Sequence, residues 1–410
     1  MTQTALTAQP TPEWTRHAIW WHVYPLGFVG APIRPSDGAP DGQPWQAHRL
    51  SRLTAWLDHA VALGCSGLLL GPIFASTSHG YDTTDHFQID PRLGDDADFD
   101  ALVAACRERG LRIVLDGVFS HVGREHPAVE QNSPLVNHAE VFEGHGDLVR
   151  LDHSTSEARD LAVEVMTHWL RRGIDGWRLD AAYSVPTDYW RETIDRVRAD
   201  HPDAWFLAEV IHGDYPAFVR ESGVDSLTQY ELWKAIWSSL VDGNFFELEW
   251  TMRRHDDLLA TFVPQTFVGN HDVTRIATKV GADLVPLAMA VLATTAGIPS
   301  VYAGDEQGYT GTKSDALGGD DEVRPPFPDG PDELSPFGAG AMRTHQDLIG
   351  LRRRHPWLVN ARSRAVDVAN RSFTYRTTST ESDEAWLETT LRLDPPGVTI
   401  TGPEGVVWQR

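Results

Sequence analysis

Short apolar runs of strand length alternate with amphipathic helical patterns eight times along this chain, and that alternation admits few folds. The runs lie near residues 18–24, 67–70, 112–116, 176–180, 205–209, 226–229, 266–268 and 300–302. A helix after each strand requires parallel pairing, and eight such units close into a (β/α)8 TIM barrel. Residues 50–63 illustrate the pattern: Leu53, Trp56, Leu57, Ala60 and Val61 form one stripe, and Gly64 sits where a helix would end. Similar stripes recur over 99–109, 158–171, 189–198, 232–240, 284–295 and 344–353.

Two connections are too long to be simple turns. Residues 122–155, after the third strand, carry several His, Gly and Pro with little periodicity and read as a short inserted loop; residues 304–337 follow the eighth strand and are rich in Gly, Asp and Pro. A disordered surface insertion is the bland reading of 314–321. Beyond 356 the sequence turns to alternating Thr/Ser-rich stretches, which predict a small antiparallel β domain over 357–410 after a catalytic barrel over 14–356. Residues 1–13 read as a flexible N-terminal tail without the basic and apolar regions of a secretion signal, so cytoplasmic residence is expected.

The charge balance narrows the partners. With 58 acidic against 35 basic residues, a net charge of −23, the chain would repel nucleic acid and anionic membranes alike. No apolar run approaches the ~20 residues of a membrane span. Cys65 and Cys106 fall inside apolar patterns and read as buried free thiols. Both monomer and homodimer are compatible with this composition.

Three acidic residues, Asp180, Glu209 and Asp272, stand at or just beyond the C-terminal ends of apolar strand runs. Burying an unpaired charge costs several kcal/mol, so three carboxylates on one rim of a barrel call for a chemical reason. Glycoside hydrolysis supplies one: one carboxylate attacks or stabilises the anomeric carbon while another donates a proton to the leaving oxygen. Arg178, two residues before Asp180, faces the same side of the pleat and is expected to keep that carboxylate ionised. Trp20, Trp21, Trp169, Trp177 and Trp205 sit inside apolar runs and are expected in the core rather than against a sugar.

Six stretches then carry a resemblance. Asp116-Gly117-Val118-Phe119-Ser120-His121, Gly176-Trp177-Arg178-Leu179-Asp180, Ala208-Glu209 and Val268-Gly269-Asn270-His271-Asp272 resemble, in order, the four signature regions of the α-amylase family. Residues 80–85 and 297–306 are similar to two further family stretches. The resemblance implies a retaining α-glucosidic mechanism with Asp180 as nucleophile, Glu209 as acid/base and Asp272 as the third carboxylate. It also implies that Tyr81, His121 and His271 contact the reacting glucose, that Asp82 and Asp116 support them, and that Arg324, within 320–327, borders the sugar. For Asp116 a helix cap is the competing expectation. Arg275 is expected either to orient Asp272 or to form a salt bridge elsewhere on the rim, and Gln229 or Lys234 to line acceptor subsites.

Departures from the family pattern sharpen the reading. Ser120 stands where many members place a calcium-binding Asn, so no cofactor is expected to be required and calcium is disfavoured. Ala181-Ala182-Tyr183-Ser184 replaces the Lys-His pair of many endo-acting amylases. The wording lies nearer the cyclomaltodextrinase and neopullulanase side, which implies small α-1,4- or α-1,6-linked maltooligosaccharides or cyclic glucans as substrates. The same carboxylates would equally serve a transglycosylase or glucosyl isomerase. A non-catalytic amylase-like binding protein is the third reading, and the presence of all three carboxylates weighs against it.

Overall fold

In a computed structural model, which describes residues 11–34, 45, 47–316 and 318–410, eight parallel strands form the sheet at the centre of the molecule. They are Trp20–Val23, Gly67–Leu70, Arg112–Gly117, Gly176–Leu179, Trp205–Ala208, Ser226–Leu227, Gln265–Phe267 and Ile298–Tyr302. Each pairs with its neighbour in chain order and the first pairs with the eighth. A parallel bridge between Thr228 and Gln265 joins the sixth to the seventh and closes the ring. This is the (β/α)8 barrel the alternation predicts. Residues 1–10 of the expected tail, and Leu317 of the 304–337 connection, lie outside the described residues.

The strands are short and buried on both faces, as parallel strands between a packed interior and a helical coat must be. Trp20 and Trp205 stack inside the ring with centroids 5.5 Å apart, next to Leu69, Val114, Leu207 and Ile298. Trp21, Trp169 and Trp177 are fully buried as well, so all five tryptophans of the apolar runs are core. Cys65 and Cys106 are buried free thiols.

The helical coat departs from expectation in three places. The stripe over 50–63 is two helices, Leu50–Thr54 and Leu57–Leu63, because Trp56 turns inward at the break to stack on Trp21 and donate to the Pro328 carbonyl at 3.2 Å. The two longest helices not read from sequence are Tyr215–Ser222 after the fifth strand and Phe245–Leu258 behind Tyr230–Asp242. The segment 122–155 is more than a loop, since His121–Gly123, Val136–Val141 and Leu148–Leu151 form a three-stranded antiparallel sheet around Val122, Val136, Val149 and Leu151.

Five antiparallel strands between Ala361 and Gln409 follow the single-turn helix Pro356–Asn360. Asp256, on helix Phe245–Leu258, ties this sheet to the barrel by accepting from the Ser363 amide at 2.9 Å. Burial pushes its carboxyl from 3.8 up to about 7. The folded chain therefore holds a proton that the unfolded chain releases, and stability falls as pH rises through that window. Asp256→Asn keeps an acceptor for Ser363 without the charge. The variant should gain on the parent in urea midpoint as pH rises from about 4 to about 7; a gap that stays constant across that range would refute the assignment.

Candidate active site

The barrel register delivers the acidic residues to one rim. Leu179 pairs with Ala208 in adjacent parallel strands, so the next residues, Asp180 and Glu209, emerge side by side. Asp116 is opposite Arg178 on the third strand. Asp272 arrives from the loop beyond the seventh strand, five residues after Phe267. Chain order alone does not bring these groups together; closure of the ring does.

The Arg178 guanidinium sits among all four carboxylates. Its Nη1 lies 2.5 Å from Asp116 and 3.3 Å from Asp180, and its Nη2 lies 2.8 Å from Glu209 and 3.9 Å from Asp272. Burial opposes its charge, yet Asp116 and Glu209 hold it protonated far above the usual range. The expectation that Arg178 keeps Asp180 ionised is corrected here: the cation is shared among four acids. Burial, reinforced by Glu209, consequently pushes Asp180 well above the usual carboxylate range despite Arg178, and burial raises Asp116 to about 6. A second cation, Arg324, binds Asp272 at 2.7 Å and Asp320 at 3.0 Å and donates to the His271 carbonyl. The outcome is an acidic cluster with too few cations to neutralise it, which therefore retains a proton.

Backbone and neutral side chains fix the orientation. Ala181 adopts a left-handed backbone, φ 44°, which costs a non-glycine residue roughly 1–2 kcal/mol. That turn aims its amide at Glu209 Oε2, 3.0 Å away. Tyr230 donates to Glu209 Oε1 at 3.1 Å, and Asn270 links Tyr230 to the Asp272 amide. Asp180 and Glu209 are only 8% and 6% exposed, while the Asp272 side chain is 29% exposed, so the cluster meets solvent mainly through Asp272.

His271 is nearly parallel to the Tyr24 and Tyr81 rings, with Nε2 end-on to the Tyr81 hydroxyl and 3.1 Å from Asp272. Its Nδ1 is 3.0 Å from His22 Nε2. Tyr81 also donates to Asp116 at 3.1 Å, which makes Asp116 a buried partner of Arg178 and Tyr81 rather than a helix cap. His22, Tyr24 and Tyr230 went unread in the sequence because nothing marks an aromatic residue in an apolar run or at a helix start as facing a site. Position at a strand's C-terminal end was the one available signal for His22 and Tyr24.

Other expected residues stand apart from the carboxylates. Asp82 accepts from the Ser78 hydroxyl at 2.6 Å, holding its own loop. His121 is enclosed between the Ser120 hydroxyl, the Tyr81 carbonyl and the Phe142 ring. Arg275 pairs with Asp305 at 2.9 Å, the alternative expected for it. Gln229 caps helix Tyr230–Asp242 and Lys234 pairs with Glu247. Nor do the residues fit a calcium ion at Ser120, whose hydroxyl is turned to His121 Nδ1 at 2.8 Å and whose carbonyl accepts from Leu151.

A parallel barrel with acidic residues gathered at the C-terminal ends of its strands defines the general class. The family model for the α-amylase catalytic domain matches residues 39–140 and 141–329, and the chain belongs to the α-amylase family. A cyclomaltodextrinase of Geobacillus thermopakistaniensis is 30% identical over 344 residues, 73% of this chain and 57% of that protein. The intracellular maltogenic amylase of Bacillus subtilis is 27% identical over 335 residues, again 73% of this chain and 57% of the relative. This chain thus spans less than two thirds of the length of these curated relatives. Among solved structures, the cyclic α-maltosyl-(1→6)-maltose hydrolase of Arthrobacter globiformis, in complex with cyclic α-maltosyl-(1→6)-maltose, superposes with a TM-score of 0.80 at 25% identity, covering 98% of this chain and 99% of that one.

If Arg178 sets the charge balance, Arg178→Met should abolish turnover and, by leaving buried carboxylates unpaired, lower stability by about 3–5 kcal/mol in chemical denaturation. A variant as stable and as active as the parent would contradict that role.

Proposed function

We propose that this chain is a retaining α-glucoside hydrolase acting on short or cyclic α-1,4- and α-1,6-linked glucans through a covalent glycosyl-enzyme intermediate. The observation that carries the reading is the sharing of one guanidinium by Asp180, Glu209 and Asp272 at one barrel rim. In this reading Asp180 attacks the anomeric carbon, Glu209 protonates the departing oxygen and later activates water, and Asp272 stabilises the oxocarbenium-like transition state by charge. Tyr81, His271 and Arg324 surround the reacting sugar, while Asp82 and His121 shape the wall beside it.

Preference for small substrates is supported by the inserted segment. Phe142 packs on His121, and Tyr183 donates to Glu143 at 2.6 Å, so that segment and the residues following Asp180 are joined across one side of the site. The Arthrobacter neighbour, which matches this chain almost end to end, acts by its name on a cyclic maltosyl-maltose. We extend the proposal to calcium-independent action and an intracellular location, the latter supported by the printed name of the Bacillus subtilis relative and by two buried thiols. Among the described residues no helix is long and apolar enough to cross a membrane.

Asp180→Asn should abolish cleavage of every α-glucoside the parent cleaves, and retained turnover would remove the nucleophile assignment. Glu209→Gln should lose about 10²–10⁴-fold on maltotriose and far less on α-glucosyl fluoride, whose leaving group needs no proton; equal losses on both would count against the acid role. Chromatography of maltotriose and cyclodextrin digests should show only shorter products, whereas longer ones would favour the transglycosylase. Exhaustive chelation should leave activity and Tm unchanged. Loss of both, restored by calcium alone, would reverse the calcium proposal.

A further inference from the structure

His22, on the first barrel strand, is buried, has no assigned role, and points its Nε2 at the Nδ1 of His271, 3.0 Å away. Two neutral imidazoles so placed share one proton, and which ring donates depends on what surrounds the far nitrogen of His271. Both rings are neutral. Burial and then Arg178 take His22 down to about 3, and burial and then His22 take His271 well below its usual value.

The far side resolves the direction. Asp272 Oδ2 lies 3.1 Å from His271 Nε2 but out of hydrogen-bond alignment, and the atom that Nε2 meets is the Tyr81 hydroxyl oxygen. The Tyr81 hydroxyl, the other neighbour of Nε2, donates its single proton to Asp116 Oδ2 at 3.1 Å and offers an oxygen lone pair to the imidazole. With that oxygen as its partner, Nε2 carries the proton. Nδ1 is then an acceptor, and only His22 Nε2–H is placed to satisfy it.

We infer that His22 is a positioning residue: by donating to Nδ1 it locks His271 in the tautomer whose Nε2–H is directed at the Tyr81 hydroxyl oxygen, beside Asp272. The chain of hydrogen bonds runs from His22 to His271 to Tyr81 to Asp116, and the Tyr24 ring lies parallel to the middle imidazole. A phenyl ring in place of His22 keeps much of the packing against Tyr302 but supplies no donor. His271 then has reason to place its proton on Nδ1 or to rotate, and the Tyr81 hydroxyl beside Asp272 loses the N–H that orients it toward Asp116. Glutamine at position 22 can put an amide N–H near the place of the imidazole Nε2.

This inference rests on the hydrolase reading for its effect on turnover, but its tautomer content needs no substrate. The test is ¹⁵N NMR of histidine-labelled protein, with His271 identified by the resonances lost in His271→Gln, together with kinetics of His22→Phe and His22→Gln. The parent should show His271 protonated at Nε2 and not at Nδ1, and His22→Phe should show proton on Nδ1 or a mixture. His22→Phe should lose about tenfold in kcat with KM little changed, and His22→Gln should recover to within about threefold of the parent. Protonation of His271 at Nδ1 in the parent would overturn the inference whatever the activity. So would full kcat in His22→Phe, or a glutamine variant no better than the phenylalanine one. Should His22→Phe fail to fold, the parent spectrum and the glutamine variant still decide. A parent that shows the Nε2–H tautomer yet cleaves no α-glucoside would refute the proposed hydrolase and leave the tautomer lock standing.

Discussion

One guanidinium among four carboxylates is the constraint around which the site is built. Arg178 is buried, and without Asp116, Glu209, Asp180 and Asp272 its charge would cost several kcal/mol to enclose. The carboxylates depend on it just as strongly. One cation cannot neutralise four anions, so the cluster has a deficit of positive charge even with Arg324 at its edge, and a proton is held there at pH values where free carboxylic acids have lost theirs. That surplus negative charge suits a reaction whose transition state is cationic at the sugar ring.

Maintaining such a cluster demands rigidity, and the surrounding structure provides it by several independent routes. The parallel register sets Asp180 beside Glu209; the left-handed peptide at Ala181 turns an amide onto Glu209; Asn270 couples Tyr230 to the loop that carries Asp272. His271 lies parallel to the Tyr24 ring and is held at each nitrogen, by His22 and by the Tyr81 hydroxyl. Below the rim, stacked Trp20 and Trp205 fill the ring and leave the strands little freedom to shift.

Legibility in the sequence followed burial. Strands such as Gly67–Leu70, Gly176–Leu179 and Trp205–Ala208 are apolar on both faces and could be placed within a residue or two. Helix Phe245–Leu258 was missed because Phe246 and Trp250 lie on its exposed side and blur the apolar stripe. Helix Tyr215–Ser222 is only eight residues long, with Pro216 in its first turn, too short for a period to establish itself. The break at Trp56 has neither Gly nor Pro to announce it; the cause is an indole packing onto another strand's tryptophan.

The amino-acid order determined the barrel, the carboxylates that would crowd its rim, and the family to which the chain belongs, because each is written in local pattern: strand-length apolar runs, acids at or beyond their ends, and short motifs in sequence. Tertiary structure alone decided that Arg178 serves four acids instead of one, that Arg275 turns away to Asp305, and that His22, some 250 residues distant in the chain, reaches His271. Those outcomes depend on distances across a closed ring. A strand's own sequence says which side chains point inward, but only closure says what they meet there.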